Sequence, residues 1–151
     1  MIADRLHDLG ISLPPAPKPV AVYIPAVRSG NLLFISGQLP FDNGKLLQAG
    51  KLGAEVDVEQ GRSAARLATL NALAIAHEEL GSLDDVARVV RLVCHVASAA
   101  GFTEQHLVAN GASELLGEIF GEQGRHARLA LGAAELPLNA PVEVELILEA
   151  G

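Results

Sequence analysis

The sequence predicts an α+β domain in which two helices cover one face of a mixed β-sheet. Residues 57–80 carry apolar side chains at helical spacing, and a second helical segment begins at Ser98 or Thr103 and ends at Phe120. Short runs rich in Val, Leu and Ile precede, separate and follow the helices. Because each helix connects two strands, we expect both on the same face. The opposite face is uncovered in a monomer, so we expect it to form a subunit interface.

The composition fits one domain with an aliphatic core. Half of the 151 residues are hydrophobic, but only 3% are aromatic. The net charge of −7 argues against binding nucleic-acid phosphates, which requires a basic surface. The single cysteine, Cys94, allows no internal disulfide. With neither a secretory start nor an apolar run long enough to span a membrane, we expect a cytoplasmic protein.

Upstream of the long helix, the sequence predicts a small helix, an irregular segment and short strands. Residues 2–9 have helical spacing, whereas the proline-rich residues 14–19 cannot be helical. Residues 20–24 suit a short or edge strand, because a proline follows them. Residues 31–36 form a continuous apolar run, which suits a strand buried on both faces. Residues 42–45, Asp-Asn-Gly-Lys, predict a hairpin turn.

The long helix and the strand after it have clear sequence boundaries. Asp57 suits the N-cap, with Gln60 completing a capping box, and Gly81 suits the C-terminal cap. Asn71 interrupts the apolar stripe, so we expect it at the margin of that stripe or bonded to backbone. Residues 86–96 are apolar and β-rich, which predicts a central strand.

The closing segment, residues 124–148, is interpreted as two strands that carry the candidate functional residues. On the first strand Arg128 and Ala130 share one face, and on the second Glu143 and Glu145 share one face. An arginine and a glutamate at the same sheet level can bind a small planar anion and transfer a proton. An ordinary cross-strand ion pair is the alternative.

Other common chemistries find little support. The five histidines lack the spacing of metal ligands, so we expect no metal site. Cys94 lies within a strand and its neighbour His95 points to the other face, which predicts a core residue rather than a nucleophile. Ser36 and Gly37 either end a strand or offer a hydroxyl and a backbone N–H to a ligand.

Several segments, in order along the chain, resemble the RidA/YjgF family of reactive-imine deaminases. They are Asn-Leu-Leu-Phe-Ile-Ser-Gly-Gln-Leu-Pro at 31–40, Ala-Leu at 72–73, Gly-Ser-Leu-Asp-Asp-Val at 81–86, Ala-Arg at 127–128, Leu-Pro at 136–137 and Val-Glu-Val-Glu at 142–145. The resemblance implies a chorismate-mutase-like fold, with a six-stranded mixed sheet, two helices on one face and a homotrimer. Active sites would lie in clefts between subunits. It also implies a single domain, 1–151, with 1–19 as an N-terminal extension and 20–149 as the core.

The resemblance also implies roles for individual residues. Arg128 matches the arginine that grips the substrate carboxylate, and Glu143 matches the glutamate associated with the hydrolytic water. Tyr23 matches a tyrosine near the site, and Ser36 and Gly37 match a strand-end pair. No cofactor is implied.

Two features depart from the family pattern. Ala130 stands where many of the deaminases carry a cysteine, so it keeps the backbone contribution but lacks the thiol. Residues 110–126 look like those of a divergent subgroup, and Asn110 aligns ambiguously with a site asparagine. Arg125 and His126 are further features of this branch, without an assigned role.

The resemblance implies hydrolytic deamination of small 2-imino or enamino acids to 2-oxo acids and ammonia. A non-catalytic trimer that binds small carboxylates in the same cleft is the alternative. RNA cleavage, which the older name L-PSP endoribonuclease attaches to the family, is disfavoured by the acidic charge.

Overall fold

The computed structural model describes residues 1–19 and 21–151, which form three α-helices and seven strands. The helices are α1 (Ile2–Asp8), α2 (Val58–Leu80) and α3 (Gln105–Phe120). The strands are β1 (Ala26–Ser29), β2 (Leu32–Gln38), β3 (Phe41–Asp42), β4 (Lys45–Leu46), β5 (Val86–Ala97), β6 (Ala127–Ala133) and β7 (Val142–Ala150). Within this part of the chain, no helix is long and apolar enough to cross a bilayer.

Five strands form one mixed sheet in the order β1-β2-β7-β5-β6. The β5–β6 pair is parallel, and the other neighbours are antiparallel. The expected mixed α+β architecture is confirmed, but among the described residues the main sheet has five strands rather than the expected six. The short strands β3 and β4 pair with each other as a separate hairpin. Its turn residues Asn43 and Gly44 have φ of 51° and 81°, as a tight two-residue hairpin turn requires.

Two predicted boundaries differ from the structure. The prediction of a strand at residues 20–24 is wrong for residues 21–24, which belong to no strand. Val20 lies outside the described residues. The ladder starts at Ala26, because Pro25 can accept a hydrogen bond from Ser36 N–H (2.9 Å) but cannot donate one. The second helix begins at Gln105, not at Ser98 or Thr103. Ser98 N–H instead donates to Ala133 O (3.0 Å), which extends the contact between β5 and β6.

Helix α2 has the predicted caps. Asp57 and Gln60 form the reciprocal capping box, and Gly81 ends the helix in the left-handed conformation, with φ of 84°. Asn71 is buried and its amide donates to the Leu39 and Phe41 carbonyls, both at 3.1 Å. The polar residue on the apolar stripe therefore fastens the segment after β2 to the helix.

Helices α2 and α3 pack against each other on one face of the sheet. A Cβ atom at Gly111 of α3 would collide with the backbone carbonyl of Arg62 in α2, so this glycine permits close approach. The core between the helices and the sheet is aliphatic, with Leu73, Leu92, Leu115 and Leu146 at most 1% exposed. The expectation that both helices cover the same face is confirmed.

The opposite face of the sheet carries exposed apolar side chains. Val27, Phe34 and Leu129 are 50%, 41% and 42% exposed. In the strand register Val27 pairs with Phe34, and Leu129 pairs with Val93. The face away from the helices is thus apolar at both ends of the sheet, and the described residues of one chain leave these side chains exposed.

Candidate functional site

The predicted site residues lie on opposite faces of the sheet. Arg128 pairs in register with Leu92, a buried residue under the helices, so its side chain projects on the helical side. Glu143 pairs with His95, on the opposite face. The structure therefore contradicts both interpretations that place Arg128 and Glu143 together within one chain, the shared anion site and the cross-strand ion pair. The sequence showed how side chains alternate between faces within β6 and within β7. It did not show the register in which each of these strands pairs with β5, which lies between them.

The first group of predicted residues lines a cavity of about 590 Å³. Tyr23, Ser36, Gly37 and Glu143 all contribute to its wall, although they come from three separate segments. Lys18, from the proline-rich segment, adds a cation. Apolar residues line much of the remaining wall, including Pro25, Leu39, Phe41 and Leu138. We call this group the glutamate half-site. A mostly apolar cavity with a few polar groups is typical of a small-molecule site.

A β-bulge shapes the glutamate half-site. Ile35 pairs with Leu146 and Gln38 pairs with Val144, so β2 has one residue more than β7 between these points. The bulge contains Ser36 and Gly37. A Cβ at Gly37 would lie 2.7 Å from Glu143 Oε2 and 2.9 Å from its Cγ, so the glutamate occupies space that only glycine leaves free. Sequence reasoning identified the Ser36-Gly37 pair but not this packing.

Neighbouring groups tune the Glu143 carboxyl. Burial raises its pKa above the ordinary value; nearby His95 opposes that rise, and the charge of Glu145 adds to it. His95 Nε2 lies 3.1 Å from Glu145 Oε2, so these three residues form one cluster on the sheet face. A carboxyl group with a raised pKa is better suited to accept and return a proton than an ordinary exposed one.

The second group of predicted residues surrounds Arg128 between β6 and α3; we call it the arginine half-site. Arg128 Nη1 donates to Asn110 Oδ1 (2.7 Å) and to Ser113 Oγ (3.2 Å), and Nη2 donates to the His106 carbonyl (3.3 Å). A guanidinium has five N–H groups, so these bonds leave two without a partner among the described residues. Two N–H groups are what a bidentate carboxylate needs.

Sequence reasoning missed Ser113 and the His106 carbonyl. Asn110 and Ser113 are three residues apart on α3, a spacing that places both on one face of a helix. That spacing is visible in the sequence, but the partner strand is not. His126 completes the cluster, with Nε2 2.9 Å from Ser113 Oγ and Nδ1 2.6 Å from Gly124 O.

Ala130 lies beside the arginine half-site without contributing a polar side chain. It pairs in register with Cys94, and its methyl group packs against the core. Burial raises the pKa of the Cys94 thiol to about 12, although nearby Arg128 opposes the rise. Cys94 is therefore a protonated core residue and does not replace the thiol that position 130 lacks.

Comparison with known proteins identifies the family. Residues 3–150 match the family model described as "YjgF/chorismate mutase-like, putative endoribonuclease". Protein TCP17 of Trypanosoma cruzi is 46% identical, over 98% of this chain and 93% of its own. A 2-iminobutanoate/2-iminopropanoate deaminase of Dermatophagoides farinae is 29% identical, over 91% and 93% of the two chains. The crystal structure of Agrobacterium tumefaciens Atu1372, a protein of unknown function, aligns with a TM-score of 0.92 and 48% identity over 99% and 92%. The chain belongs to the RidA/YjgF family.

Proposed function

We propose that the protein hydrolyses small 2-imino acids, or their enamine forms, to 2-oxo acids and ammonia. The observation that carries the proposal is the complementarity of the two half-sites. One presents a guanidinium with two N–H groups that have no partner among the described residues, and the other presents a half-buried carboxyl group in a cavity. A carboxylate anchor and a proton acceptor are what hydrolysis of an imino acid requires.

The half-sites would combine between chains. Arg128 and Glu143 project from opposite faces of one sheet, so a single chain cannot bring them to the same substrate. The apolar outer face of the sheet offers a surface for a second chain. We propose a homotrimer in which the arginine half-site of one subunit meets the glutamate half-site of the next.

In the proposed reaction, the arginine half-site binds the substrate and the glutamate half-site transfers protons. The two N–H groups of Arg128 that the described residues leave without a partner bind the carboxylate of the imino acid and hold its C2 carbon near the glutamate half-site. Water held at Glu143 attacks C2 and gives up a proton to the carboxylate. Passed on to the imine nitrogen, that proton gives a carbinolamine, in which C2 bears one OH and one NH2 group. The Glu143 carboxylate then takes the proton of the new hydroxyl and delivers it to the amino nitrogen. The C=O bond forms as the C–N bond breaks, and ammonia and a 2-oxo acid leave. Positioning supplies most of the effect, since the imine is already electrophilic.

The name of one relative supports this reaction. The Dermatophagoides farinae protein is named as a deaminase of 2-iminobutanoate and 2-iminopropanoate, and it matches nearly the whole chain. The more similar TCP17 and Atu1372 have names that state no activity. RNA cleavage, which the family description mentions, is disfavoured by the net charge of −7.

The direct test is ammonia release from imines generated in the assay by an amino-acid oxidase. Arg128→Ala and Arg128→Lys should both lose most of the activity, because an ammonium cannot reproduce the bidentate fork. Glu143→Gln should lower turnover by roughly a hundredfold while 2-oxo acid binding changes little. Arg125→Ala and Glu149→Gln remove comparable charges elsewhere and should retain activity. If wild type binds 2-oxo acids but hydrolyses imines no faster than buffer does, the protein is a binding module.

A further inference from the structure

The Ser113–His126 pair lies directly against Arg128 and has no role in the reaction described above. We propose that His126 and Ser113 are positioning residues, which hold the Arg128 guanidinium in the orientation that receives the substrate carboxylate. The inference rests on the proposed function, because it takes carboxylate binding as the task of Arg128.

The hydrogen bonds of His126 define its tautomer. Its Nδ1 lies 2.6 Å from the carbonyl oxygen of Gly124, and because a carbonyl only accepts, Nδ1 carries a proton. In the neutral ring Nε2 is then an acceptor. Ser113 Oγ, at 2.9 Å, therefore donates its hydroxyl proton to Nε2.

The direction of the Ser113 hydroxyl matters to Arg128. With its proton held by His126, Ser113 Oγ presents its lone pairs to the guanidinium, and Nη1 donates to it at 3.2 Å. Without His126, the hydroxyl proton is free to bond a carbonyl in the preceding turn of α3, a common arrangement for serine in helices. The lone pairs would then turn away from Arg128.

The backbone around Gly124 holds this arrangement in place. Gly124 is buried, and a Cβ there would collide with the Leu116 carbonyl of α3. The acceptor of the His126 proton is therefore fixed against the helix that also carries Asn110 and Ser113. Because Asn110 and His106 lie on that helix too, every described hydrogen-bond partner of Arg128 belongs to α3.

Arg128 benefits from this support because it is exposed on an edge strand. A free arginine side chain populates many rotamers, and ordering it upon binding weakens affinity. Bonds to both Nη atoms restrict the guanidinium before the substrate arrives and leave two N–H groups for the carboxylate. Ser113 and His126 should thus act on affinity, whereas Glu143 acts on turnover.

The test measures binding of 2-oxobutanoate, a 2-oxo acid of the product class, by calorimetry on the intact protein. Ser113→Ala and His126→Ala should each weaken binding by about tenfold, the scale of one hydrogen bond to a charged group. Ser113→Thr keeps the hydroxyl and His126→Gln keeps a hydrogen-bond acceptor, so each should retain most of the wild-type affinity. Arg125→Ala is the control and should bind as wild type does. KM for an imine should rise in the two alanine variants with kcat nearly unchanged.

A spectroscopic measurement separates this inference from the proposed function. Restricted rotation of the Arg128 guanidinium should give resolved Nη resonances in wild type, which merge in Ser113→Ala and return in Ser113→Thr. If Ser113→Ala keeps wild-type affinity and resolved resonances, the positioning role is overturned and the proposed function stands. If wild type binds no 2-oxo acid, the proposed function is overturned and this inference with it. The double variant Arg128→Ala/Ser113→Ala should bind 2-oxobutanoate as weakly as Arg128→Ala alone. Equal affinities would support the inference, because Ser113 would then act only through the Arg128 guanidinium.

Discussion

At the residue scale, the Glu143 side chain occupies the space that a Cβ at position 37 would fill. Gly37→Ala should therefore displace the carboxylate and lower imine hydrolysis by about tenfold or more. The melting temperature should change little, because the displaced atoms belong to a flexible side chain. The matched control is Gly117→Ala, where a Cβ meets no atom of the described residues within 4 Å. Unchanged hydrolysis in Gly37→Ala would show that the placement of this carboxylate is unimportant.

The raised pKa of Glu143 also predicts a pH-dependent stability. Burial keeps the folded carboxyl protonated to a higher pH than its ordinary value of 4.5. Between the unfolded and folded pKa values the native state holds the extra proton, so this group lowers stability as pH rises through that window. The loss of stability is absent below the pKa that Glu143 has in the unfolded chain, and it is complete above the pKa that Glu143 has in the folded protein.

Glu143→Gln should consequently be more stable than wild type at neutral pH and equal to it in acid. Chemical denaturation at both pH values, at one protein concentration, measures the difference. A variant that is less stable than wild type at neutral pH would indicate that the ionised carboxylate has a favourable partner.

At the element scale, local signals predicted the helices better than they predicted the site. The capping box of Asp57 and Gln60 and the Asn43-Gly44 turn depend on neighbours in the chain, so the sequence contains them. The bulge at Ser36-Gly37 depends on β7, a strand more than 100 residues later in the sequence. The face of Arg128 likewise depends on its register with β5. Such non-local pairing has no signature within either strand.

Packing of α2 on α3 gives a test at this scale. A Cβ at Gly111 would meet the backbone of Arg62, which cannot rotate away as a side chain can. Gly111→Ala should therefore destabilise the protein by about 1–3 kcal/mol, the usual effect of overpacking. Gly117→Ala, on the same helix but in open space, should stabilise it by about 0.5–1 kcal/mol. Equal effects of the two substitutions, measured by denaturant unfolding, would contradict the close helix contact.

At the scale of the whole molecule, the candidate site is divided between two surfaces of one chain. The edge strands β1 and β6 and the apolar outer face are available to a second chain. Light scattering should therefore show the proposed trimer. An active, stable monomer at low micromolar concentration would remove the cleft between subunits.

The most direct test of the divided site is activity restored by mixing two inactive variants. Arg128→Ala retains the glutamate half-site, and Glu143→Gln retains the arginine half-site. In a cyclic trimer that contains both variants, one of the three clefts combines the two intact halves. Unfolding and refolding an equal mixture should thus recover about a quarter of wild-type imine hydrolysis, whereas each variant refolded alone stays inactive. No recovery, in mixtures shown by native mass spectrometry to contain hybrid trimers, would contradict a site built from two chains.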